Sequence, residues 1–235
     1  MKVVILAGGL GTRIMEFTKD IPKPMIEIGG KPLLWHIMKH YSYYNYRDFI
    51  IAAGYKIDVI RESLPEHYES DWSVEIVDTG LTATKAARLK MLSNRLNKTF
   101  MLTWGDGVSD INLDELLKMH RQAKNMVTIS AISVPSRFGH IEFEKNKVSK
   151  YVEKDRSKKS WINGAFFVVE PKVLDYITNK DKEWETDIFQ SLILENKLGV
   201  YPHNGFWQCM DEMKDKVFLE YLWQSSCPWN IWRYK

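Results

Sequence analysis

Val3-Val-Ile-Leu6 runs without a polar break into Ala7-Gly-Gly-Leu-Gly11-Thr-Arg13, and that junction decides the fold class. Four apolar residues in a row suit a strand buried on both faces, as in parallel sheets covered by helices; an alternating pattern would leave one face wet. The glycines that follow close the strand in a tight turn, where missing side chains let backbone N–H groups approach a ligand. Similar apolar runs recur at Phe49–Ala53, Val74–Val77, Phe100–Thr103, Val127–Val134 and Phe166–Val169. Helical patterns separate several of them. Leu33–Tyr44 places Leu34, Ile37, Met38 and Tyr41 on one face. Asn112–Ala123 opens on Asn112 and Glu115, a capping-box-like start, and buries Leu113, Leu116, Leu117 and His120. Strand and helix in alternation predict an α/β chain with a Rossmann-like, mostly parallel (mixed) sheet and helices on both faces.

The second half is less regular. Gly139–Phe143 and Val148–Val152 read as a hairpin turning at Lys145-Asn146-Lys147, and Pro171–Ile177, Asp187–Leu194 and Lys214–Trp223 read as helices. With no linker, low-complexity tract or internal repeat, residues 1–235 are expected to form a single domain.

Composition bounds the partners. Lys and Arg number 33 against 30 Asp and Glu, a net charge of +3 that is too small to argue for nucleic acid or an anionic membrane. No apolar stretch approaches the roughly 20 residues a membrane helix requires, and the opening Met-Lys-Val-Val-Ile-Leu is too short for a signal-peptide core. Cys209 and Cys227 lie outside any metal-ligand spacing, as expected of reduced thiols. The expectation is a cytoplasmic protein.

Several segments carry residue types suited to phosphate chemistry, and each also has a plainer explanation. Gly8, Gly9 and Gly11 can cradle phosphate oxygens, with Arg13 offering a planar fork; the same residues make a tight turn with an exposed arginine. The spacing is neither Gly-x-Gly-x-x-Gly nor the pattern ending in Gly-Lys-Ser/Thr. Lys23, between Pro22 and Pro24, is expected in an extended loop that presents its ammonium stiffly, or is a surface lysine. Asp106, in Thr103-Trp-Gly-Asp106-Gly, stands at the carboxyl end of an apolar strand, where open α/β sheets bind ligands; it also fits a turn aspartate between glycines. Asp211 follows an aromatic run and would serve equally as a helix cap. Glu153 and Asn163 can bond sugar hydroxyls while Lys154 meets a phosphate, or they form a solvated pair and a turn.

Together, and in order along the whole chain, Leu6-Ala-Gly-Gly-Leu-Gly-Thr-Arg13, Pro22-Lys-Pro-Met25, Gly105-Asp-Gly107, Glu153-Lys154, Asn163-Gly164 and Asp211 resemble the sugar nucleotidyltransferase family. Pro22-Lys-Pro-Met-Ile-Glu-Ile-Gly-Gly-Lys-Pro-Leu-Leu-Trp-His-Ile-Met38, Val77-Asp-Thr-Gly80, Arg88-Leu-Lys90, Arg137-Phe-Gly139 and Gly205-Phe-Trp-Gln-Cys-Met-Asp211 look most like its glucose-1-phosphate cytidylyltransferase branch. The chain departs from that branch in four places. The segment between Gly54-Tyr55 and Val77-Asp78 is short, Ala86-Ala87 replaces two glycines, Glu153-Lys154 is followed by Asp155 rather than proline, and Glu212 follows the metal-type acid Asp211.

The resemblance implies a GT-A-like nucleotidyltransferase fold, with a nucleotide-binding half at roughly 1–110 and an acceptor-binding half at roughly 111–235. It implies Mg²⁺ on Asp106 and Asp211, and a catalytic set of Arg13, Lys23 and Asp106. Nucleotide contacts fall to Leu6, Gly8, Gly9, Gly11, Thr12, Arg13, Lys23, Asp78, Gly80, Arg88 and Asp106, and acceptor contacts to Glu153, Lys154 and Asn163. The implied partners are CTP and a phosphorylated small-molecule acceptor, in a homo-oligomer. Glucose 1-phosphate, another phosphomonoester or a phosphonate remain open as acceptor, as does another nucleotide. Three other functions stay in view. A glycosyltransferase of similar fold would show Asp-x-Asp after a central strand, which is missing. A dinucleotide-binding oxidoreductase conflicts with the glycine spacing, and an inactive nucleotide-binding homologue would have no use for a pair of metal acids.

Overall fold

The computed structural model describes residues 1–14, 18–135, 140–152 and 159–234. β1 (Lys2–Ala7) is an interior strand of a seven-stranded sheet. On one side it pairs in parallel with β4 (Asp48–Ala53), which in turn pairs with the edge strand β5 (Ser73–Asp78). On the other side it pairs in parallel with β6 (Phe100–Trp104). Beyond β6 the order continues through β11 (Lys159–Val169) and β8 (Val127–Pro135) to β12 (Leu198–His203). Only β11 runs against its neighbours within this sheet, antiparallel to both β6 and β8, so the sheet is mixed as expected.

Two small ribbons flank the sheet: β2 (Glu27–Ile28) with β3 (Lys31–Pro32), and β7 (Gly107–Ser109) with β13 (Trp207–Cys209). A third, β9 (His140–Glu144) with β10 (Lys147–Val152), is the expected hairpin, its tip set by Lys145 at φ +52°.

The unbroken apolar runs do bury both faces. Val3, Ile5 and Ala7 of β1 join a cluster on one face of the sheet, while Val4 and Leu6 join a second cluster on the other. The first face is covered by α1 (Leu33–Tyr43), α2 (Ile57–Ser63), α4 (Leu113–Ala123) and α6 (Met213–Gln224). The second is covered by α3 (Lys85–Met91) and α5 (Phe189–Leu194). Removing such apolar side chains from water, at about 1.5–3 kcal/mol each, is what holds the layers on the sheet.

The caps follow the sequence in part. Asn112 caps α4, its Oδ1 accepting from the Glu115 N–H at 3.1 Å, and Leu113, Leu116, Leu117 and His120 are buried as expected. Pro171–Tyr176 winds as a 3₁₀ helix, not an α-helix, and α5 is entered through a wider turn over Trp184–Ile188. Among the described residues no helix is long and apolar enough to cross a membrane.

Candidate functional site

The parallel strands β1, β4, β5 and β6 all end at one edge of the sheet, and the turns leaving them build the site. After β1 the chain folds back at Gly8, Gly9 and Gly11. Gly11 adopts φ +63°, a left-handed conformation that few side chains tolerate, and is followed by a short 3₁₀ turn over Thr12–Ile14, with Gly11 O accepting from the Ile14 N–H at 3.1 Å. The side chain of Arg13 lies outside the described residues. Gly8 is buried, and a β-carbon there would land on the guanidinium of Arg88.

Lys23 begins a 3₁₀ turn over Lys23–Met25 and does not lie in the extended loop its prolines suggested. The extended residue is instead Pro22, at ψ 148°, and one tight turn after it lets Lys23 precede a proline without entering a longer helix. The ammonium donates to Asp106 Oδ2 at 3.0 Å and to Asp211 Oδ1 at 2.6 Å. Burial alone would lower the Lys23 pKa, but the facing carboxylates of Asp106 and Asp211 prevail and hold it above the usual lysine value. Both acids stay reachable, with side chains 31% and 35% exposed.

Although 105 positions separate them in sequence, the two acids meet through the β7–β13 ribbon. Asp106 immediately precedes β7, Asp211 lies just past β13, and Gly107 pairs with Cys209. The Met210 N–H then donates to Asp106 O at 2.8 Å. Asp211 is not a helix cap; Glu212 is, in a reciprocal capping box with Asp215. Asp215 also accepts the Asp211 backbone N–H at 2.9 Å and so fixes that residue. Cys209 lies beside Asp211, Sγ to Oδ2 3.8 Å, and burial together with the nearby carboxylates pushes its thiol up to about 12, so it stays protonated.

A cavity of about 250 Å³ opens between the glycine turn and α3, bounded by Gly8, Gly9, Gly11, Lys23, Arg88 and Asp106. Leu6, at its back, is 9% exposed. Asp78 and Gly80 do not line it. Asp78 Oδ1 instead accepts the Gly80 N–H at 2.8 Å, closing a turn in which Gly80 takes φ +80°. Lys85 and Trp104 also line the cavity, and sequence reasoning assigns neither a role. Lys85 places its ammonium 4.8 Å over the ring of Trp104 and pairs with Glu185. The signals were available: Trp104 is two residues before Asp106 at the same strand end, and Lys85 is three before Arg88, hence on its side of a helix.

On the far side of Asp106 a second hollow of about 150 Å³ reaches Asn163, Trp207 and Asp211. Asn163 opens an irregular step in β11, accepting the Ala165 N–H on Oδ1 at 2.8 Å while Ala165 takes φ +60°. The indole of Trp207 donates to Gly164 O at 2.8 Å, tying β13 to that step. Glu153 and Lys154 lie outside the described residues.

A glycine turn at the end of a parallel strand, with an ammonium held between two acids from distant segments, defines an α/β protein equipped to hold phosphates beside a cation. The family model described as nucleotidyl transferase matches residues 2–213, and the chain belongs to that family of enzymes. It is 40% identical over 256 aligned positions to glucose-1-phosphate cytidylyltransferase of Salmonella typhi, covering 99% of this chain and 100% of the relative. To a probable glucose-1-phosphate cytidylyltransferase of Bacillus subtilis it is 35% identical, with the same coverage. Both alignments are longer than this 235-residue chain, so each relative carries residues it lacks, in keeping with the shortened segment noted above. Among solved structures, HddC from Yersinia pseudotuberculosis complexed with GMP-PN superposes with a TM-score of 0.74 at 22% identity, covering 94% of this chain and 99% of that one. That likeness shows the GT-A-like nucleotidyltransferase fold.

Proposed function

We propose that the protein transfers a cytidylyl group from CTP to a sugar 1-phosphate, with glucose 1-phosphate as the first acceptor to try, releasing pyrophosphate. The observation that carries this is Lys23 held between Asp106 and Asp211 at the mouth of the glycine-lined cavity. The cytidylyltransferase names of the two relatives supply the nucleotide and the acceptor. An acceptor phosphate oxygen attacks the α-phosphorus; a new P–O bond forms, the bond to the β-phosphate bridging oxygen breaks, and pyrophosphate leaves with that electron pair. A phosphomonoester with a second pKa of about 6 is already dianionic at neutral pH, so no general base is required. The barrier is repulsion between two charged phosphates, and the protein's task is positioning and charge neutralisation.

Gly8, Gly9, Gly11 and Arg13 would hold the triphosphate, with Leu6 and Thr12 flanking it. Lys23 would stabilise charge that develops on the α-phosphate. Asp78 and Gly80 would act through the shape of their turn, which stands beside the cavity. Asn163, with Glu153 and Lys154, would receive the acceptor. Asp106 and Asp211 fit a divalent cation such as Mg²⁺, since an ammonium already rests between their oxygens and both are partly exposed. Two carboxylates suit an ion that takes its remaining oxygens from phosphate and water, and when bound it would neutralise phosphate charge.

Two departures from the cytidylyltransferase pattern have local structural roles. Glu212 serves as a helix cap, and Ala86 and Ala87 are buried in the first turn of α3, where the Ala87 N–H donates to the capping Thr84 hydroxyl at 3.0 Å. The test is pyrophosphate release with Mg²⁺ and CTP, UTP, dTTP, GTP or ATP against a panel of sugar 1-phosphates, other phosphomonoesters and phosphonates. Release with CTP and glucose 1-phosphate is the expected result. Release only with another nucleotide or another acceptor would replace that half of the assignment, and silence throughout would overturn it.

A further inference from the structure

Arg88 is 5% exposed, yet among the described residues no acid pairs with it. Its Nη1 donates to Thr79 Oγ1 at 2.6 Å, Gly80 O at 2.7 Å and Ala53 O at 3.3 Å. Its Nη2 donates to Gly8 O at 3.0 Å and Leu81 O at 3.2 Å. All five acceptors are neutral oxygens, and they come from the ends of three different strands: the turns after β1 and β5, and the last residue of β4. Among the described residues Asp78 alone exerts an attractive charge on the guanidinium, and no carboxylate lies within ion-pair distance of it. A buried cation solvated only by carbonyls and a hydroxyl is costly, and an apolar side chain would fill the same space more cheaply unless the charge has a use.

The geometry points to Arg88 as a positioning residue. It holds the Gly8–Gly9 peptide with its N–H turned toward the phosphate chain of the nucleotide, and it leaves beneath that chain a positive charge that the phosphates complete. The inference rests on the nucleotidyl-transfer function proposed above. In a trans peptide the C=O and the following N–H point in opposite directions. Fixing Gly8 O on the guanidinium therefore turns the Gly9 N–H away from it, and Gly8 and Gly9 both line the cavity. The neighbouring glycines are cut to this clamp. A β-carbon at Gly8 would strike the guanidinium, and one at Gly54 would strike Gly80 O, an acceptor of the same arginine. Lysine cannot reproduce the arrangement, because one rotatable ammonium does not span three strand ends as a planar fork does.

The experiment uses the full chain, with Arg88→Lys, Arg88→Met, Gly8→Ala and the Gly8→Ala/Arg88→Met double variant. Each is melted, titrated calorimetrically with the nucleotide the wild type uses, and assayed for both KM values. Both arginine variants should bind nucleotide about tenfold or more weakly, as for hydrogen bonds to a charged group, with the acceptor KM unmoved. A merely structural role would instead lower the amount of active enzyme and leave both KM values alone. Gly8→Ala and Arg88→Met should be strongly non-additive in unfolding free energy, because the atoms nearest the added methyl are those of the guanidinium. Folded arginine variants with wild-type nucleotide affinity, or additive unfolding energies, would overturn the inference. A wild type inactive on the whole nucleotide panel would sink the proposed function instead, and the unfolding cycle would still decide whether the clamp exists.

Discussion

Replacing Lys23 with alanine leaves Asp106 and Asp211 facing each other across the gap the ammonium filled. With Nζ 3.0 Å from one carboxylate oxygen and 2.6 Å from the other, the two acids stand within a few ångströms of contact. Two like charges about 5 Å apart repel by roughly 3 kcal/mol at an effective dielectric constant near 20. Solvent reaches both side chains, each about one-third exposed, which reduces this to about 1–2 kcal/mol. For a chain of this size that corresponds to a melting temperature lower by about 3–6 °C. The loss should be present at neutral pH and low salt, and should disappear when Mg²⁺ is added, because a divalent cation takes the place of the missing ammonium. Mg²⁺ should therefore stabilise Lys23→Ala more than the wild type in calorimetric or dye-monitored melts. The pH dependence has a definite sign. The wild-type Lys23 pKa is raised on folding, so its contribution is full below the unfolded lysine value near 10.5 and is lost as pH rises through the higher folded value. A variant that melts with the wild type and responds equally to Mg²⁺ would show that the ammonium does not neutralise this pair.

Turnover gives a second check on the same trio. Asp106→Asn should abolish most divalent-cation-dependent pyrophosphate release while leaving the melting temperature within a few degrees of wild type, since Lys23 keeps Asp211 as a partner; near-normal turnover would remove Asp106 from the cation site. His36 and His40 supply an independent test in the first core. Burial pushes both down to about 4, with backbone carbonyls of Ile28 and Ile111 accepting from their rings. A histidine depressed on folding stabilises above its unfolded pKa near 6.5, so stability should fall as pH drops from about 6.5 toward 4, by up to about 3 kcal/mol per residue. Urea unfolding across that range reads it, and His40→Gln should flatten the curve; an unchanged slope would refute the assignment.

Sequence alone determined what local physics can specify. Unbroken apolar runs such as Val3–Leu6 had to be buried on both faces, which gives a helix-covered sheet. The glycines at 8, 9 and 11 had to form a turn at the strand end, and Asn112 had to cap its helix, because each depends on neighbours a few residues away. The identities of Lys23, Asp106 and Asp211 were also legible, through the order and spacing of their motifs. Tertiary structure decided where they meet. Asp211 is brought to Asp106 by the pairing of β7 with β13, and no local pattern marks Gly107–Ser109 or Trp207–Cys209 as partners. The reversed strand β11, and the irregular step that places Asn163 beside the acids, arise from its pairing with β6 and β8. Arg88 shows the same limit. From sequence it was a nucleotide-contact candidate implied by resemblance alone, in the run Arg88-Leu-Lys90. Its five acceptors come from residues 8, 53, 79, 80 and 81, strand ends and turns that converge only after three parallel strands align in register. Register across such distances depends on the packing of the whole sheet, and for that reason it is absent from any single stretch of the chain.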